Sequence, residues 1–349
     1  MAALIKIGFV GGGMMAQIGH LPFYLADPRV EVVAVAEERP SLRAALSDKL
    51  GAGRLLPDRE TLLARSDIDA IVISSPRPAT GPLTLEALSA GKHVLAEKPM
   101  AHSVAQARRL VGAAQERKLV YAVGHMKLFD PGVVAAKAAL DEIRTSGRLG
   151  RLLSARVYDF SKSYAFPIPP HIRPNESRAE RYPVWPTHPD WLEERYRAAY
   201  AWFLNSASHD VSLLHHLLPG PVTVTGAAAP NDAAVSALLR VGDVPVHFEM
   251  ARIEAGRWLE GAEFLFETGR LALSIPSPMA MDEVARVTID DLRLGLVGEA
   301  VKTGAGWSFA RQAKGFVDSL VAGEATVASG EAALEDMELI EAIWRNIHG

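Results

Sequence analysis

The chain reads as an α/β protein: an N-terminal doubly wound parallel sheet, then an α+β domain with an open, mostly antiparallel sheet. Three observations predict this. Apolar runs of strand length alternate with helix-length segments through the first third of the chain. A glycine turn, "GFVGGGMMA", joins the first such pair. After about residue 125 the alternation gives way to strand-like runs with few helical signals between them. The expected domains are residues 1–125 and 126–349, with the closing helices free to pack back on the first.

Strands are expected at Leu4–Val10, Val30–Ala36, Ala70–Ser74, His93–Ala96 and Leu119–Val123. Between them, helices are expected at Met14–Ala26, Ser41–Leu50, Arg59–Ala64, Thr80–Ala90 and Val104–Arg117. Pro22 should kink or end the first helix, because it lacks the N–H a helix interior needs. A helix over Pro131–Thr145 leads through "SGRLGRL" into a strand. A stretch rich in Pro and aromatics, residues 163–191, is too long for an idle connection and reads as a functional or mobile loop. Then come a helix near Trp202–Leu218, strands between Pro221 and about Ile289, and helices at Ala310–Val321 and Glu331–Asn346.

Composition narrows the function. Net charge is −4 with no basic block, which argues against a nucleic-acid partner. The chain has no cysteine, so disulfides, thiolate nucleophiles and Cys-ligated zinc are excluded. No uncharged apolar run approaches the ~20 residues a membrane helix requires. A soluble, cytoplasmic protein without membrane association is expected.

Gly11, Gly13 and Ala16 form a G-x-G-x-x-A pattern between a strand and a helix, the Rossmann signature for a dinucleotide. Gly11 would permit the tight turn and Gly13 the close approach of a pyrophosphate to the helix N-terminus. The expected cofactor-contacting set is Gly11, Gly13, Met14, Met15, Glu37, Arg39, Ser74, Ser75, Pro76, Thr80, Glu97 and Lys98. Glu37 ends the second strand, where an acid holds the adenosine ribose hydroxyls and repels a 2′-phosphate. Arg39 and Arg43 cut the other way. NAD is favoured, with NADP the alternative.

Two later strands end in "SSP" (Ser74, Ser75, Pro76) and "EKP" (Glu97, Lys98, Pro99). Ligands of a doubly wound sheet lie across the carboxyl ends of its strands. Lys98 is therefore directed to the nicotinamide end of the cleft.

These residues, with "AGKHVLAEKPMAHS", "GHMKLFDPGV", "SGRLGRL", "SHDVSLLHHLLPG" and the tail "FVDSLVAGEATVASGEAALEDMELIEAI", resemble the Gfo/Idh/MocA family of oxidoreductases. The resemblance covers nearly the whole chain. It implies hydride transfer between a nicotinamide and a carbinol or ketone carbon of a sugar, cyclitol or polyol. It also implies a homodimer or homotetramer through the C-terminal sheet, and places the family's lysine on Lys98 and its catalytic histidine on His209. Thr80 stands where many relatives carry histidine.

On the His209 helix, Leu204, Ala207, Val211, Leu214 and Leu218 form one apolar stripe. Asn205, His209, Ser212 and His216 line the opposite face, which suggests a polar cleft. An imidazole, with a free pKa of about 6.5, can serve as base and acid in the two directions of such a reaction. Lys98 would stabilise the developing alkoxide and hold down the pKa of a neighbouring imidazole. Many relatives carry Asp four residues before the histidine and three after it; here Asn205 and Ser212 replace them. The catalytic set is thus Lys98, His209 and Asn205, and the substrate set adds His125 and Tyr158. Lys127, Tyr182, Trp185, His188 and Trp191 are softer candidates. His209 and His216 stand about 10 Å apart along the helix, too far to share an ion easily, and no metal is expected. Two rival functions remain: an NAD-assisted hydrolase, lyase or epimerase with transient oxidation, and a non-catalytic dinucleotide-binding regulator.

Overall fold

The computed structural model describes residues 4–161, 168–176, 182–253 and 258–348. Parts of the Pro- and aromatic-rich stretch lie outside these residues. The chain divides into two compact units: residues 1–125 with 169–189 and 309–334, and residues 126–168 with 190–308 and 335–349.

The first unit holds strands β1 (Ile5–Val10), β2 (Val30–Ala36), β3 (Leu55–Leu56), β4 (Ala70–Ile73), β5 (His93–Ala96) and β6 (Tyr121–Val123). They form one parallel sheet in the order β3-β2-β1-β4-β5-β6. The connecting helices are α1 (Leu21–Ala26), α2 (Pro40–Leu50), α3 (Arg59–Leu63), α4 (Arg77–Ser89) and α5 (Val104–Arg117). β4 and β5 are buried almost throughout, as parallel strands covered on both faces must be. The two-residue β3 was not anticipated, being too short to carry a periodicity. Pro22 stands in the first turn of α1, just after His20 leaves helical dihedrals (φ −129°, ψ −67°), which is the expected kink. A π-helical turn over Ala16–His20 precedes this helix, and at the first turn of α1 the proline's missing N–H costs no helix bond. α8 (Ser308–Ala322) adds Ala313, Phe316 and Val317 to the same core as Ile7, Phe9, Tyr24 and Leu42.

The second unit carries α6 (Pro131–Ser146), β7 (Leu152–Ser161), α7 (Glu194–Leu217), β8 (Val222–Asn231), β9 (Ala234–Val241) and β10 (Val244–Ala251). β11 (Trp258–Phe266), β12 (Gly269–Ile275), β13 (Arg286–Asp291) and β14 (Leu296–Ala300) complete its sheet. α9 (Gly330–His348) closes the chain. Sheet order is β14-β13-β12-β11-β7-β10-β9-β8, antiparallel except for β7 beside β10. Val235, Ala237, Leu239 and Val241 of β9 are buried while Ser236, Leu238 and Arg240 between them are exposed, so only one face is covered. α7 packs over β7, and α6 over β12 and β13. The start of α6 is fixed by Asp130, whose carboxylate accepts from the N–H of Gly132 (2.7 Å) and of Ala285 (2.9 Å). No helix among the described residues is long and apolar enough to cross a membrane.

Candidate active site

The glycine turn follows β1 directly. Gly11 has φ +91° and donates to the carbonyl of Ala36 at the end of β2. A Cβ there would stand 2.3 Å from the carbonyl oxygen of Ser74, so only glycine fits between the ends of β1 and β4. At Gly13 a Cβ would meet nothing nearer than the Arg39 guanidinium at 3.7 Å, which leaves the mouth of the turn open to a ligand. Met14 and Met15, both half-buried, open the helix beyond it. This cradle fits a dinucleotide.

Glu37 is buried beside the turn, but its carboxylate is already engaged. Oε2 accepts from the Gly12 N–H (2.9 Å) and from an Nη of Arg39 (2.8 Å). Oε1 accepts from the Arg39 N–H (3.0 Å) and Nε (2.7 Å). Burial raises its pKa, yet the Arg39 bonds and the Gly12 N–H outweigh that and hold it below the usual range. A carboxylate offers about four acceptor positions, so in this arrangement the expected ribose contact has none left. Arg39 and Arg43 are not swinging groups either. Arg39 is paired with Glu37, and Arg43 donates to the carbonyl oxygens of Glu37 (2.7 Å) and Glu38 (3.3 Å).

Ser74, Ser75 and Pro76 form the turn after β4, where the Ser75 and Thr80 hydroxyls lie 3.2 Å apart. After β5, Glu97 Oε1 accepts from His20 Nε2 (2.8 Å), and its Oε2 accepts from the Lys98 N–H (3.3 Å). The Lys98–Pro99 bond is cis. Gly124, after β6, lets the chain pass close to this corner: its Cβ would lie 3.2 Å from both Glu97 Oε2 and the Lys98 nitrogen. The imidazole that feels Lys98 within this unit is His125. Burial, then the Lys98 charge, lowers its pKa to about 3. His125 is thus a neutral, buried neighbour of the lysine.

Part of the Pro- and aromatic-rich stretch straps across the carboxyl ends of the parallel strands. Ile172 exchanges two hydrogen bonds with the Gln17 side chain (2.8 and 3.0 Å), and Gln17 also donates to the Gly12 carbonyl (2.9 Å). Glu176 accepts from the Ser41 N–H (2.7 Å) and from its hydroxyl. Beyond residues 177–181, which are not described, the Trp185 backbone N–H donates to the Pro78 carbonyl (3.0 Å) and its ring seats on Gly81. Gln106 donates to Pro186 (2.9 Å).

In the second unit, the expected apolar stripe of α7 is buried, and so are Ser208, His209, Asp210 and Ser212. The polar face is not continuous, however. The Ser212 hydroxyl donates to the His209 carbonyl (2.8 Å), a satisfaction of its own helix. His216 lies by Lys137 and Asp141 of α6, and burial with Lys137 lowers its pKa. Asn205 and His209 remain one turn apart, half-buried and buried. Tyr158 is on the open face of the sheet, stacked on Phe160 (5.6 Å) under the Arg156 guanidinium (4.9 Å). Asp159, next in β7, points to the covered face with Lys127, Asp210 and Glu260. Lys127 is not a surface donor: its ammonium is buried and bridges both oxygens of Glu260, which also accepts from Trp258 Nε1 (2.8 Å). Burial, Glu260 and Asp159 push the Asp210 pKa well up, and Lys127 only partly offsets them.

The Gfo/Idh/MocA model, an oxidoreductase family with an NAD-binding Rossmann fold, matches residues 5–125. The chain is 30% identical over 188 residues to 1,5-anhydro-D-fructose reductase of Ensifer adhaerens, covering 54% of this chain and 49% of that one. It is 37% identical over 148 residues to inositol 2-dehydrogenase of Rubrobacter xylanophilus, covering 42% and 41%. Residues 5–125 are a Gfo/Idh/MocA-type NAD-binding Rossmann domain. The matched segments span about half the length of these curated relatives or less. A 3-ketoreductase from Actinomadura kijaniata, solved with NADP and TDP-benzene, shares the fold. Its TM-score is 0.75 at 23% identity, over 99% of this chain and 98% of that one. Aldose-aldose oxidoreductase from Caulobacter crescentus gives 0.76 at 15%, with the same coverage.

Sequence reasoning missed Glu176, Gln17 and the buried Lys127–Asp159–Asp210–Glu260 group. One signal was available: Asp210 is the only formal charge between Trp202 and Leu218, and a lone charge on such a helix needs a buried partner. For Glu176 there was none, since its partner Ser41 lies 135 residues away.

Proposed function

We propose that this protein is an NAD(P)-dependent oxidoreductase acting on a carbinol or ketone carbon of a sugar, cyclitol or similar polyol. The observation that carries the reading is the corner at the ends of β5 and β6. There Lys98 is fixed by Glu97, Pro99 and Gly124, beside a glycine turn fitted to a dinucleotide. The names of the relatives, reductases and dehydrogenases of sugars and inositol, support the substrate class.

A nicotinamide bound here would supply the hydride acceptor or donor. In oxidation, His209 takes the proton from the substrate hydroxyl as the C–H electron pair departs, and in reduction it returns that proton. Lys98 donates a hydrogen bond to the same oxygen and stabilises its negative charge. Asn205, one turn from His209, orients the ring or a second hydroxyl. His125, neutral and buried, leaves Lys98 as the cation of the corner. NAD is the favoured cofactor, and a homodimer or homotetramer forms through the open sheet face carrying Tyr158, Phe160, Leu259 and Leu265. Light scattering tests that assembly; a monomer at micromolar concentration would remove it.

The decisive experiment follows reduced-nicotinamide absorbance over a panel of polyols, sugars and nucleotide-sugars with NAD and NADP. Lys98→Ala and His209→Ala should each lower kcat by about 10²–10⁴-fold while the nucleotide still binds. Unchanged turnover in either variant removes that residue from the chemistry. The strap across the strand ends favours a second reading, in which a retained nucleotide oxidises the sugar transiently and takes no part in net redox. Its sign is nucleotide copurifying with the protein and product formed without an absorbance change. Clear NAD binding with no turnover on any substrate would support the regulator reading.

A further inference from the structure

The end of β2 is where a bound dinucleotide presents the adenosine 2′ position, and where an anion would find positive charge and N–H donors at a helix start. In this chain each of those donors is answered by a carboxylate of the chain itself. Arg39 is held by Glu37 through Nε and one Nη (2.7 and 2.8 Å). The first turn of α2 offers the Ser41 N–H and hydroxyl, and both go to Glu176 (2.7 Å for the N–H). The Asn175 N–H in turn donates to the Ser41 oxygen (3.2 Å), and Ile172 is tied to Gln17 nearby. Glu176 therefore reaches α2 from a segment 135 residues away, anchored on both sides of the glycine turn.

We propose that Glu176 is a specificity-determining residue that selects NAD over NADP by occupying, with a negative charge, the place a 2′-phosphate would take. The proposal rests on the reading that this unit binds a dinucleotide. Two properties follow from the geometry. A 2′-hydroxyl is small and neutral and leaves the Glu176–Ser41 contact in place. A 2′-phosphate has to displace the carboxylate or sit beside it, and like charges so placed disfavour binding. Arg39 does not rescue it, because its charge is already balanced by Glu37, whose pKa stays below the usual carboxylate range. Once the carboxylate is gone, the Ser41 N–H, the Ser41 hydroxyl and the start of α2 become available for charge-assisted bonds.

The test measures dissociation constants of the full chain for NADH and NADPH by titration calorimetry at fixed ionic strength, for wild type, Glu176→Ala, Glu176→Gln and the double variant Ser41→Ala/Glu176→Ala. Wild type should bind NADH more tightly. Glu176→Ala should tighten NADPH by about tenfold or more and leave NADH within about twofold. Glu176→Gln, which keeps a partner for Ser41 but no charge, should recover part of that gain. Adding Ser41→Ala should take most of it back. Equal affinity of wild type for both nucleotides overturns the proposal. So does a Glu176→Ala variant that changes both equally, since Glu176 would then only anchor the strap. If wild type binds neither nucleotide, the dinucleotide reading itself falls, and this proposal with it.

Discussion

The two units bury ionisable groups in opposite ways. In the first, the buried groups with the largest downward shifts are imidazoles. His125 is lowered to about 3 by burial and the Lys98 charge, and His102 to about 4 by burial, Arg77 and His188. In the second, they are carboxyls pushed up. Asp210 goes well above its ordinary value, and Asp336 rises to about 6 as burial outweighs its His215 partner. Each unit keeps its interior near neutrality, one by withholding protons from bases and the other by leaving them on acids. Buried charge remains in each, as the Glu37–Arg39 pair in the first unit and, in the second, Lys127. The Lys127 ammonium is sustained first by Glu260 against its own desolvation. The comparison teaches that the first unit spends its fixed charges at strand ends, where a ligand can meet them, whereas the second encloses them.

The largest effect expected from this contrast is at Lys127. Replacing it with Ala leaves Glu260 buried without its cation, and breaking a buried pair from one side typically costs about 3–5 kcal/mol. Lys127→Ala should therefore lower the stability read by chemical denaturation by that order. Removing both partners, as Lys127→Met with Glu260→Leu, should cost far less. If the single and double variants lose the same amount, the pair is not the cause, and the enclosed-charge description of the second unit breaks.

The parallel sheet of the first unit was legible because each of its devices is local. Gly11 to Ala16 announce the turn, and the runs at Val30–Ala36 and His93–Ala96 have strand length. "EKP" also marks the Lys98 corner without any distant partner. What was not legible depends on which groups the folded chain actually pairs, near or far in sequence. At Glu37 the sequence shows the carboxylate and the arginine two residues on, but not that Arg39 and Gly12 together occupy its acceptor positions. Tyr158 looked like a sugar platform, but alternation along β7 turns it to the open face, away from Asp159. Helix periodicity places Ser212 and His216 on the same polar face as His209. Periodicity does not say that one bonds its own helix and the other faces α6.

The pH dependence of stability should carry the same contrast with opposite signs. A base with a lowered folded pKa contributes stability that is whole above its unfolded value and lost as pH falls. For His125 the loss runs from about 6.5 towards about 3, with a slope up to ~1.4 kcal/mol per pH unit for each proton. An acid with a raised folded pKa behaves the other way. Asp336 contributes fully below about 3.8 and loses that contribution as pH rises through about 6. Asp210 acts in the same direction. Denaturation followed from pH 4 to pH 8 should show Asp210→Asn reducing the decline on the alkaline side, and His125→Phe reducing the decline on the acid side. An Asp210→Asn variant with the wild-type slope would show that Asp210 does not hold its proton in the fold.

The smallest effect is at Asn205, and it asks whether the second unit suppresses every carboxylate or only enclosed ones. Asp210, one residue past His209, is almost inaccessible, and neither of its oxygens finds a hydrogen-bond donor among the described residues. Asn205, one helical turn before His209, is half-buried. A carboxylate introduced by Asn205→Asp has access to water and should ionise. It then favours the charged imidazole and raises the pKa of His209 by about one unit or less, less in high salt. The proton shift of the His209 ring, followed by NMR through a pH titration, reads this without requiring turnover, and the pH–rate profile should move with it. A His209 titration unchanged by Asn205→Asp would mean that the new acid also keeps its proton. The neutral interior of the second unit would then extend out to Asn205, and residue 205 would have no electrostatic hold on the proposed base.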